Sequence, residues 1–133
     1  MAFQFSAASR NAALDAIETA AGASPAREIR TGAVPATCAT ADSGTVLVTM
    51  ALPADWLAAA SGGTKAILGT WQDLSADAAG TAAHFRIKQG ATCHIQGSVT
   101  ATGGGGDMTL DNVSIALAQQ VTVTAFTLTA GGA

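Results

Sequence analysis

Apolar side chains recur at helical spacing over residues 6–21. The residues that share one side of this helix are Ala13, Leu14, Ile17, Ala20 and Ala21. Ser6 or Ser9 can cap the first turn, and Gly22 is typical of a helix C-terminus. We therefore predict a helix over residues 6–21 whose narrow apolar stripe lies on a sheet face or on a neighbouring subunit.

Beyond Pro25 the apolar positions follow the pattern of short β-strands separated by turns. The predicted strands cover residues 27–31, 45–52, 66–69, 83–88, 93–99, 107–110, 113–115 and 121–129. Residues 45–52 are almost continuously apolar, which predicts a strand that is central or buried on both sides. Residues 121–129 carry apolar groups on both faces and are predicted to lie between two layers. Residues 33–44, which include Pro35, are predicted to form an exposed loop.

Seven or eight short strands indicate a mainly β fold, an antiparallel β-sandwich or jelly-roll-like barrel with one N-terminal α-helix. The predicted single domain spans residues 1–133, with the helix at 6–21 and the β domain at 27–133. Residues 54–80 follow no clear period, so the sequence leaves their strand layout open.

Residues 81–99 show the strictest alternation and predict a β-hairpin that turns at Gly90. The pairs expected to face each other are Ile87 with Cys93, Arg86 with His94, and Phe85 with Ile95. The same alternation places His84, Arg86 and Lys88 on the outer, solvent-facing side. A slip of one residue would bury this charged set, so the pattern favours one register.

The apolar fraction of 49% overstates how many large apolar side chains are available for a core, because alanine supplies 32 of the 133 residues. Leu, Ile, Val and Phe together number 26, close to the lower limit for a globular domain. A lone domain of this size and composition buries only a thin core. Association into an oligomer or onto a larger surface would supply the missing burial.

Charged side chains are scarce, and nine acidic and six basic residues give a net charge of −3. This balance offers no electrostatic footprint for nucleic acid, so no nucleic-acid partner is predicted. No apolar run reaches the length of a transmembrane helix, and the first residues lack the basic and apolar regions of a signal peptide. We therefore expect neither a membrane partner nor a secretion signal.

No motif indicates catalysis, and we predict no enzyme activity, cofactor or metal. Cys38 and Cys93 lie 55 positions apart, a spacing that matches no metal or redox motif, and they are predicted to be small buried thiols. A zinc site that combines them with His84 and His94 is disfavoured, since Cys93 and His94 point to opposite faces of a regular strand. The glycines at 103–106 lack the Lys-Ser/Thr ending of a phosphate loop and predict a flexible loop tip.

Two sets of side chains allow a binding interpretation beside a structural one. His84, Arg86 and His94 form either a small basic patch for a carboxylate-rich partner or an ordinary solvated sheet face. Trp56 and Trp71 form either core or interface anchors or a platform that stacks on sugar rings. The sequence contains no tyrosine, which the usual sugar-binding platform includes.

Several segments, taken in order, resemble a family of small virion-associated proteins of tailed bacteriophages and prophages. They are residues 9–17 (SRNAALDAI), 28–35 (EIRTGAVP), 44–48 (GTVLV), 83–87 (AHFRI), 111–115 (DNVSI) and 121–127 (VTVTAFT). Residues 28–35 are the most specific stretch, and the resemblance covers most of the chain. Residues 54–80 depart most from the family's pattern, and the glycine run is not part of it. Members of this family are typically encoded among head and tail structural genes.

The resemblance implies a capsid decoration, or cement, protein on the exterior of the virion, made in the host bacterial cytoplasm. Such a protein bridges neighbouring copies of the major capsid protein and stabilises the expanded head shell. Many symmetric sites on a shell favour a homo-oligomer, a trimer among the options. The resemblance carries no catalytic residue.

The candidate contact residues are Phe3, Phe5, Leu14, Ile17, Trp56, His84, Arg86 and His94. Phe3 and Phe5 precede the helix and can anchor an arm in a groove of a neighbour. Two alternatives stay open: a tail-associated structural protein, such as a tube or completion protein, and a carbohydrate-binding module displayed on the particle. The second alternative predicts that Trp56 and Trp71 are exposed.

Overall fold

A computed structural model describes residues 3–132 and shows a mainly β fold with one helix near the N-terminus, which confirms the predicted fold class. The helix is α1 (Ala7–Ala21). The strands are β1 (Ala26–Arg30), β2 (Val46–Ala51), β3 (Thr64–Ala66), β4 (Trp71–Asp73), β5 (Gly80–Thr81), β6 (His84–Gln89), β7 (Thr92–Ala101), β8 (Met108–Leu110), β9 (Ser114–Ile115), β10 (Val121–Val123) and β11 (Thr127–Thr129). The ends of the predicted domain, Met1, Ala2 and Ala133, lie outside the described residues.

Helix α1 begins and ends close to where the sequence predicts. The Oγ of Ser6 accepts a hydrogen bond from the backbone N–H of Ser9 at 3.1 Å, which satisfies one free donor of the first turn. Gly22 ends the helix with φ +82° and donates its N–H to the carbonyl of Glu18 at 2.9 Å. Leu14 and Ala21 are buried against the chain's own β structure, whereas Ala13, Ile17 and Ala20 of the predicted stripe are exposed.

Five strands form the main sheet in the order β2-β1-β6-β7-β8. Neighbouring strands are antiparallel except β7 and β8, which run parallel on either side of the glycine-rich segment at 102–107. Three two-stranded ladders pair β10 with β4, β11 with β3 and β5 with β9. Buried side chains from the main sheet and the ladders form one cluster, so a single core lies between them.

Of the two alternatives predicted for residues 45–52, a central position is wrong, because β2 lies at the edge of the main sheet. Burial on both sides is confirmed, because the consecutive residues Leu47 and Val48 are both fully buried. The free edge of β2 is covered by the end of β4 and by the loop that follows β4. The carboxylate of Asp73 accepts the backbone N–H of Thr49 at 3.0 Å. Asp77 donates its N–H to the carbonyl of Leu47 at 2.7 Å. This cover gives an edge strand the continuous apolar pattern of a buried one.

The predicted strand at residues 121–129 divides into two, so the prediction of one strand between two layers is wrong. β10 pairs with β4, whereas β11 pairs with β3, and the chain changes partner at residues 124–126. Phe126 in this segment packs into the core and is only 8% exposed. The apolar groups on both faces therefore belong to β10, to β11 and to the connection between them.

Aromatic side chains occupy the centre of the core. Trp56 and Trp71 are fully buried, with ring centroids 5.9 Å apart. The ring of Phe126 lies 5.7 Å from Trp71 and 5.6 Å from Phe85. Both indole N–H groups have acceptors: Trp56 donates to the carbonyl of Gly22 at 3.0 Å, and Trp71 donates to the carbonyl of Trp56 at 3.2 Å. The tryptophans therefore bury large apolar areas without an unsatisfied donor.

Arg27 of β1 places a charged guanidinium inside this aromatic cluster. Its central carbon lies 4.4 Å from the ring centroids of Phe85 and Phe126 and 5.4 Å from that of Trp71. Its Nη2 contacts the Sδ of Met108, but its Nε and Nη1 have no hydrogen-bond partner within residues 3–132. Burial lowers the pKa of Arg27 to about 9. Contacts with the aromatic faces thus replace the hydration that the cation loses.

We expect Arg27→Met to raise the free energy of unfolding by about 1–2 kcal/mol, because it removes a desolvated charge and keeps an apolar side chain in the core. Urea denaturation at neutral pH, followed by tryptophan fluorescence, measures the change. Arg27→Lys is the control: it keeps the charge, loses the planar contact with the rings and should not stabilise the protein. A less stable Met variant would mean that the aromatic contacts outweigh the cost of burying the charge.

Candidate functional site

Residues 33–44, here called the strap, form a largely exposed loop, as predicted, and this loop lies across the outer face of the β6–β7 hairpin. The guanidinium of Arg86 donates to the carbonyl of Thr37 at 3.0 Å. The side-chain amide of Gln96 donates to the carbonyl of Pro35 at 2.8 Å. Backbone carbonyls need donors when they are covered, so the polar residues of the hairpin let the strap pack on the sheet.

Asp42 in the strap is the centre of a cluster of ion pairs. Its carboxylate lies 2.6 Å from Arg86, 2.6 Å from Lys88 and 3.3 Å from Arg30. Glu28 extends the cluster and lies 3.0 Å from Arg30 and 3.5 Å from Lys88. Hydrogen bonds from Lys88, which has the larger effect, and from Arg86 lower the pKa of the Asp42 carboxyl to about 2. Three basic side chains thus find their counter-charges within the chain.

The predicted basic patch is wrong, because the carboxylates that its residues contact belong to the same chain. His84 is fully buried, with Nδ1 2.8 Å from the carbonyl oxygen of Gly32. Arg86 is only 2% exposed. The alternative of a solvated sheet face is wrong for the same reason, since the strap covers these side chains. Arg86 holds the strap, His84 holds Gly32 just before the strap, and neither buried side chain is available to a partner.

The hairpin register differs from the predicted one by two positions. The observed pairs are Phe85 with Gly97, Arg86 with Gln96, Ile87 with Ile95, Lys88 with Cys93 and Gln89 with Thr92. One position comes from the turn, which closes between Gly90 and Ala91 and not at Gly90 itself. The other comes from a β-bulge, in which His94 is the extra residue. Since the total shift is even, Arg86 keeps its predicted face and changes only its cross-strand partner.

The bulge also brings Cys93 to the face that carries the strap. Cys93 lies opposite Lys88 and forms a disulfide with Cys38 of the strap, with the two Cα atoms 5.2 Å apart. The prediction of two buried thiols is therefore wrong, because both residues are partly exposed and bonded to each other. The disulfide and the ion pairs of Asp42 are two separate links between the strap and the hairpin.

Two candidate contact residues, Leu14 and Trp56, lie in the core and cannot contact a partner. Leu14 is 2% exposed, and Trp56 is completely buried. Trp71 is also completely buried, so the exposed tryptophans that the carbohydrate-binding alternative predicts are absent. His94, the bulged residue, is partly exposed.

Three candidate contact residues lie at the surface, on or just before α1. Phe3 is 88% exposed, Phe5 is 55% exposed and Ile17 is 37% exposed. The backbone N–H of Phe5 donates to the carbonyl of Gly132 at 2.6 Å. This hydrogen bond joins the segment before α1 to the segment after β11.

The two joined segments and α1 surround an apolar cavity of about 400 Å³. Its lining residues are Phe5, Ser9, Arg10, Ala13, Ala130 and Gly131. The guanidinium of Arg10 is turned toward carbonyl oxygens, those of Phe5 at 3.3 Å and Gly62 at 3.4 Å. Ile17 follows Ala13 by one helical turn and extends the apolar area. We refer to Phe5, Ala13, Ile17, Ala130 and Gly131 as the terminal surface.

The described part of the chain, residues 3–132, contains no group of three or more His, Cys, Asp or Glu side chains that could hold a metal ion. Within the same residues, no helix is long and apolar enough to cross a membrane. Comparison of the chain with models of protein families, with curated proteins and with solved structures gives no match. The function therefore has to be argued from the surfaces of this chain.

Proposed function

We propose that the chain is a structural subunit of a tailed-phage virion, a capsid decoration protein that docks on the exterior of the head shell. The observation that carries the proposal is the terminal surface, where an apolar cavity lies open beside the exposed side chains of Phe5 and Ile17. Apolar concavities of this kind are typical of contact sites between proteins. The ordered segments that resemble the phage family support the same function.

The contact would be apolar and not electrostatic. Ala13 leaves room in the cavity for a large side chain of the partner, and Phe5 and Ile17 supply apolar walls. The nearby carboxylate of Asp15 is already paired with Lys65 at 2.6 Å. A surface of this kind loses little hydration of charged groups on docking, so the burial of apolar area provides the binding energy. Binding should consequently depend only weakly on salt.

The expected partner is the major capsid protein, and the expected effect on the particle is mechanical. A subunit that binds only the assembled shell stabilises it by mass action. The gain is about 2.7 kcal/mol per site when the free subunit is at one hundred times its Kd. Many equivalent sites on one shell multiply this gain and place copies of the chain side by side, which favours a homo-oligomer.

Co-sedimentation of the purified chain with phage heads that lack it, and separately with isolated tails, tests the proposal. We expect saturable binding to heads and a higher temperature for release of the packaged DNA. Binding to tails alone would replace the proposal with the tail-associated role. An absence of binding to both would refute the assignment to a virion.

A pair of helix variants tests the terminal surface itself. Ala13→Arg puts a charged side chain in the cavity and should weaken binding to heads by about tenfold or more. Ala12→Arg is the matched control, because Ala12 is exposed on the same helix but does not line the cavity. Both variants should melt like the wild type, since neither alanine is buried. Equal binding by the two variants would show that the contact lies elsewhere.

A further inference from the structure

Helix α1 is attached to the rest of the chain by few apolar contacts. Only Leu14 and Ala21 of its 15 residues are buried. Of these two, Ala21 alone belongs to the core cluster of the described residues. The core can therefore stay packed when the first three turns of α1 leave it.

The C-terminal end of α1 is anchored by side chains of the β structure. The Nε2 of Gln89 donates to the carbonyls of Ala21 at 2.9 Å and of Ala23 at 2.8 Å. The indole N–H of Trp56 donates to the carbonyl of Gly22 at 3.0 Å. These donors satisfy carbonyls at the helix end, where no intrahelical partner is available. Any opening of α1 therefore pivots about this end.

Polar contacts hold the middle of α1 against residues 60–65. The Oδ1 of Asn11 accepts the backbone N–H of Gly63 at 2.8 Å, and the Oδ1 of Asp15 accepts that of Ala60 at 3.3 Å. A Cβ at Gly63 would collide with a side chain of α1, so glycine permits the close approach. Water competes for hydrogen bonds at partly exposed positions, so each of these contacts contributes little by itself.

A buried lysine in β3 forms the remaining contact. The side chain of Lys65 is 2% exposed, and its Nζ lies 2.6 Å from the carboxylate of Asp15 and 2.8 Å from that of Glu18. The two carboxylates are three positions apart and share one face of α1. β11, the partner strand of β3, has no titratable side chain, and the nearby Arg10 of α1 donates to backbone carbonyls. Both counter-charges of Lys65 therefore come from α1, and we call these two ion pairs the Lys65 latch.

We infer that the Lys65 latch regulates docking: when it is lost, α1 opens about its C-terminal end while the β structure stays folded. Acid is the trigger, because it removes the negative charges that the buried ammonium group needs. Opening carries Ala13 and Ile17 away from Ala130 and Gly131 and so takes the terminal surface apart. The inference deepens the proposed function and, for its effect on docking, rests on it.

The sign of the pH dependence follows from the two sides of the ion pairs. The hydrogen bond from Lys65 lowers the pKa of Asp15 below its ordinary value of 3.8. The contribution of Asp15 is therefore complete above about pH 4 and is lost as the pH falls further. Burial acts to lower the pKa of Lys65, but the hydrogen bonds to Asp15 and Glu18 raise it above its ordinary value of 10.5. The latch is consequently closed at neutral pH and opens in acid.

Hydrogen exchange of the purified chain at neutral pH, measured by mass spectrometry, tests the latch without any particle. Asp15→Asn/Glu18→Gln should lower the protection of the α1 amides by about tenfold or more and leave β1 and β6 unchanged. Removal of negative charge from the C-terminal half of a helix favours the helix itself, so a weaker helix would not explain this result. Asp55→Asn/Asp111→Asn is the control, because it removes two exposed carboxylates outside α1, and it should exchange like the wild type.

The same measurement in acid separates the latch from a general loss of stability. Protection factors, which are corrected for the intrinsic rate of exchange, should fall in wild-type α1 between about pH 5 and pH 3, and further than those of β6. In Lys65→Met they should not fall selectively in α1, since no buried cation then needs the carboxylates. An equal loss of protection in α1 and β6 of the double variant, no loss in either, or a selective fall that persists in Lys65→Met would overturn the inference.

Co-sedimentation with phage heads at neutral pH then connects the latch to docking. The Asp15→Asn/Glu18→Gln variant should bind heads about tenfold more weakly or worse, and the Asp55→Asn/Asp111→Asn control should bind like the wild type. An α1 that opens without any loss of binding would support the latch and contradict the terminal surface as the contact. An α1 that stays closed in the double variant, in a chain that binds heads, would overturn the latch and leave the proposed function intact.

Discussion

Loss of the disulfide between Cys38 and Cys93 is expected to lower the free energy of unfolding by about 4 kcal/mol. The bond joins residues 55 positions apart, and the entropy that a loop of this length loses in the unfolded chain corresponds to about that value. Urea denaturation of the wild type, with and without a reductant, measures the difference. Peptide mapping under non-reducing conditions establishes beforehand that the bond has formed.

The matched control for reduction is the double variant Cys38→Ser/Cys93→Ser. It should have the stability of the reduced wild type and should not respond to the reductant. Equal stability of the oxidised and reduced wild type would contradict the assigned link between the strap and the hairpin. A reductant effect that persists in the double variant would show that the effect does not come from this bond.

The two links that hold the strap suit different surroundings. Disulfides are rare in a reducing cytoplasm, where the ion pairs of Asp42 would hold the strap by themselves. A particle released from its host meets an oxidising medium, in which the bond between Cys38 and Cys93 can form. For a virion subunit, as proposed above, the second link would therefore be added after assembly.

Asp42→Asn is expected to lower the free energy of unfolding by about 2–3 kcal/mol, because Arg86 and Lys88 stay buried and lose their charged partner. The side chain of Asp42 is 31% exposed, so the cost falls at or just below the roughly 3–5 kcal/mol that breaking a fully buried pair costs. Asp111→Asn is the control, because it removes the same charge at an exposed position and should change stability by less than about 0.5 kcal/mol. Urea denaturation at neutral pH measures both variants.

The same carboxylate gives the stability of the protein a pH dependence of known sign. The pKa of Asp42 falls from its ordinary value of 3.8 to about 2 on folding, so the unfolded chain binds the proton more tightly. The contribution of Asp42 to stability is therefore complete above about pH 4 and is lost as the pH falls toward 2. The stability difference between the wild type and Asp42→Asn should shrink across this window. A difference that stays constant there would contradict the ion-pair cluster.

The parts of the fold that the sequence predicts correctly depend on local signals. Ser6 and Gly22 mark the two ends of α1 through the cap geometry that each residue favours. Alternation of apolar and polar residues correctly identifies β6 and β7 and assigns Arg86 to the face away from the core. Each of these features depends on residues that are close together in the chain, which is where periodicity and turn chemistry are informative.

The parts of the fold that the sequence does not predict depend on contacts between segments that are distant in the chain. Nothing within residues 33–44 indicates that Arg86 and Gln96 will supply donors to their carbonyls. The bulge at His94 decides that Cys93 meets Cys38, and no local pattern specifies it. The burial of Arg27 could have been predicted from the sequence, since strand alternation places Arg27 on the same face as Ile29.

The candidate contact residues show the same limit. An apolar residue in an amphipathic pattern is expected to be buried against other side chains. The pattern does not say whether these side chains belong to the same chain or to a partner. Leu14 and Trp56 are covered by the chain itself, whereas Phe3, Phe5 and Ile17 are not. The charged candidates fail for a related reason, because the carboxylate that meets Arg86 comes from the strap.

The pairing of β3 with β11 and of β4 with β10 constrains the order in which the chain can fold. Each ladder joins a strand from the middle of the chain to one of the last two strands, with partners 48 to 65 positions apart (Asp73 with Val121, Thr64 with Thr129), so its contacts have high contact order. The entropy of closing these long loops is lost before the contacts form, which makes folding slow. Trp71 of β4 lacks its neighbour until the ribosome has synthesised β10. The core around Trp71 is therefore incomplete until β10 has paired with β4, and this unfinished core is the state that chaperones would encounter.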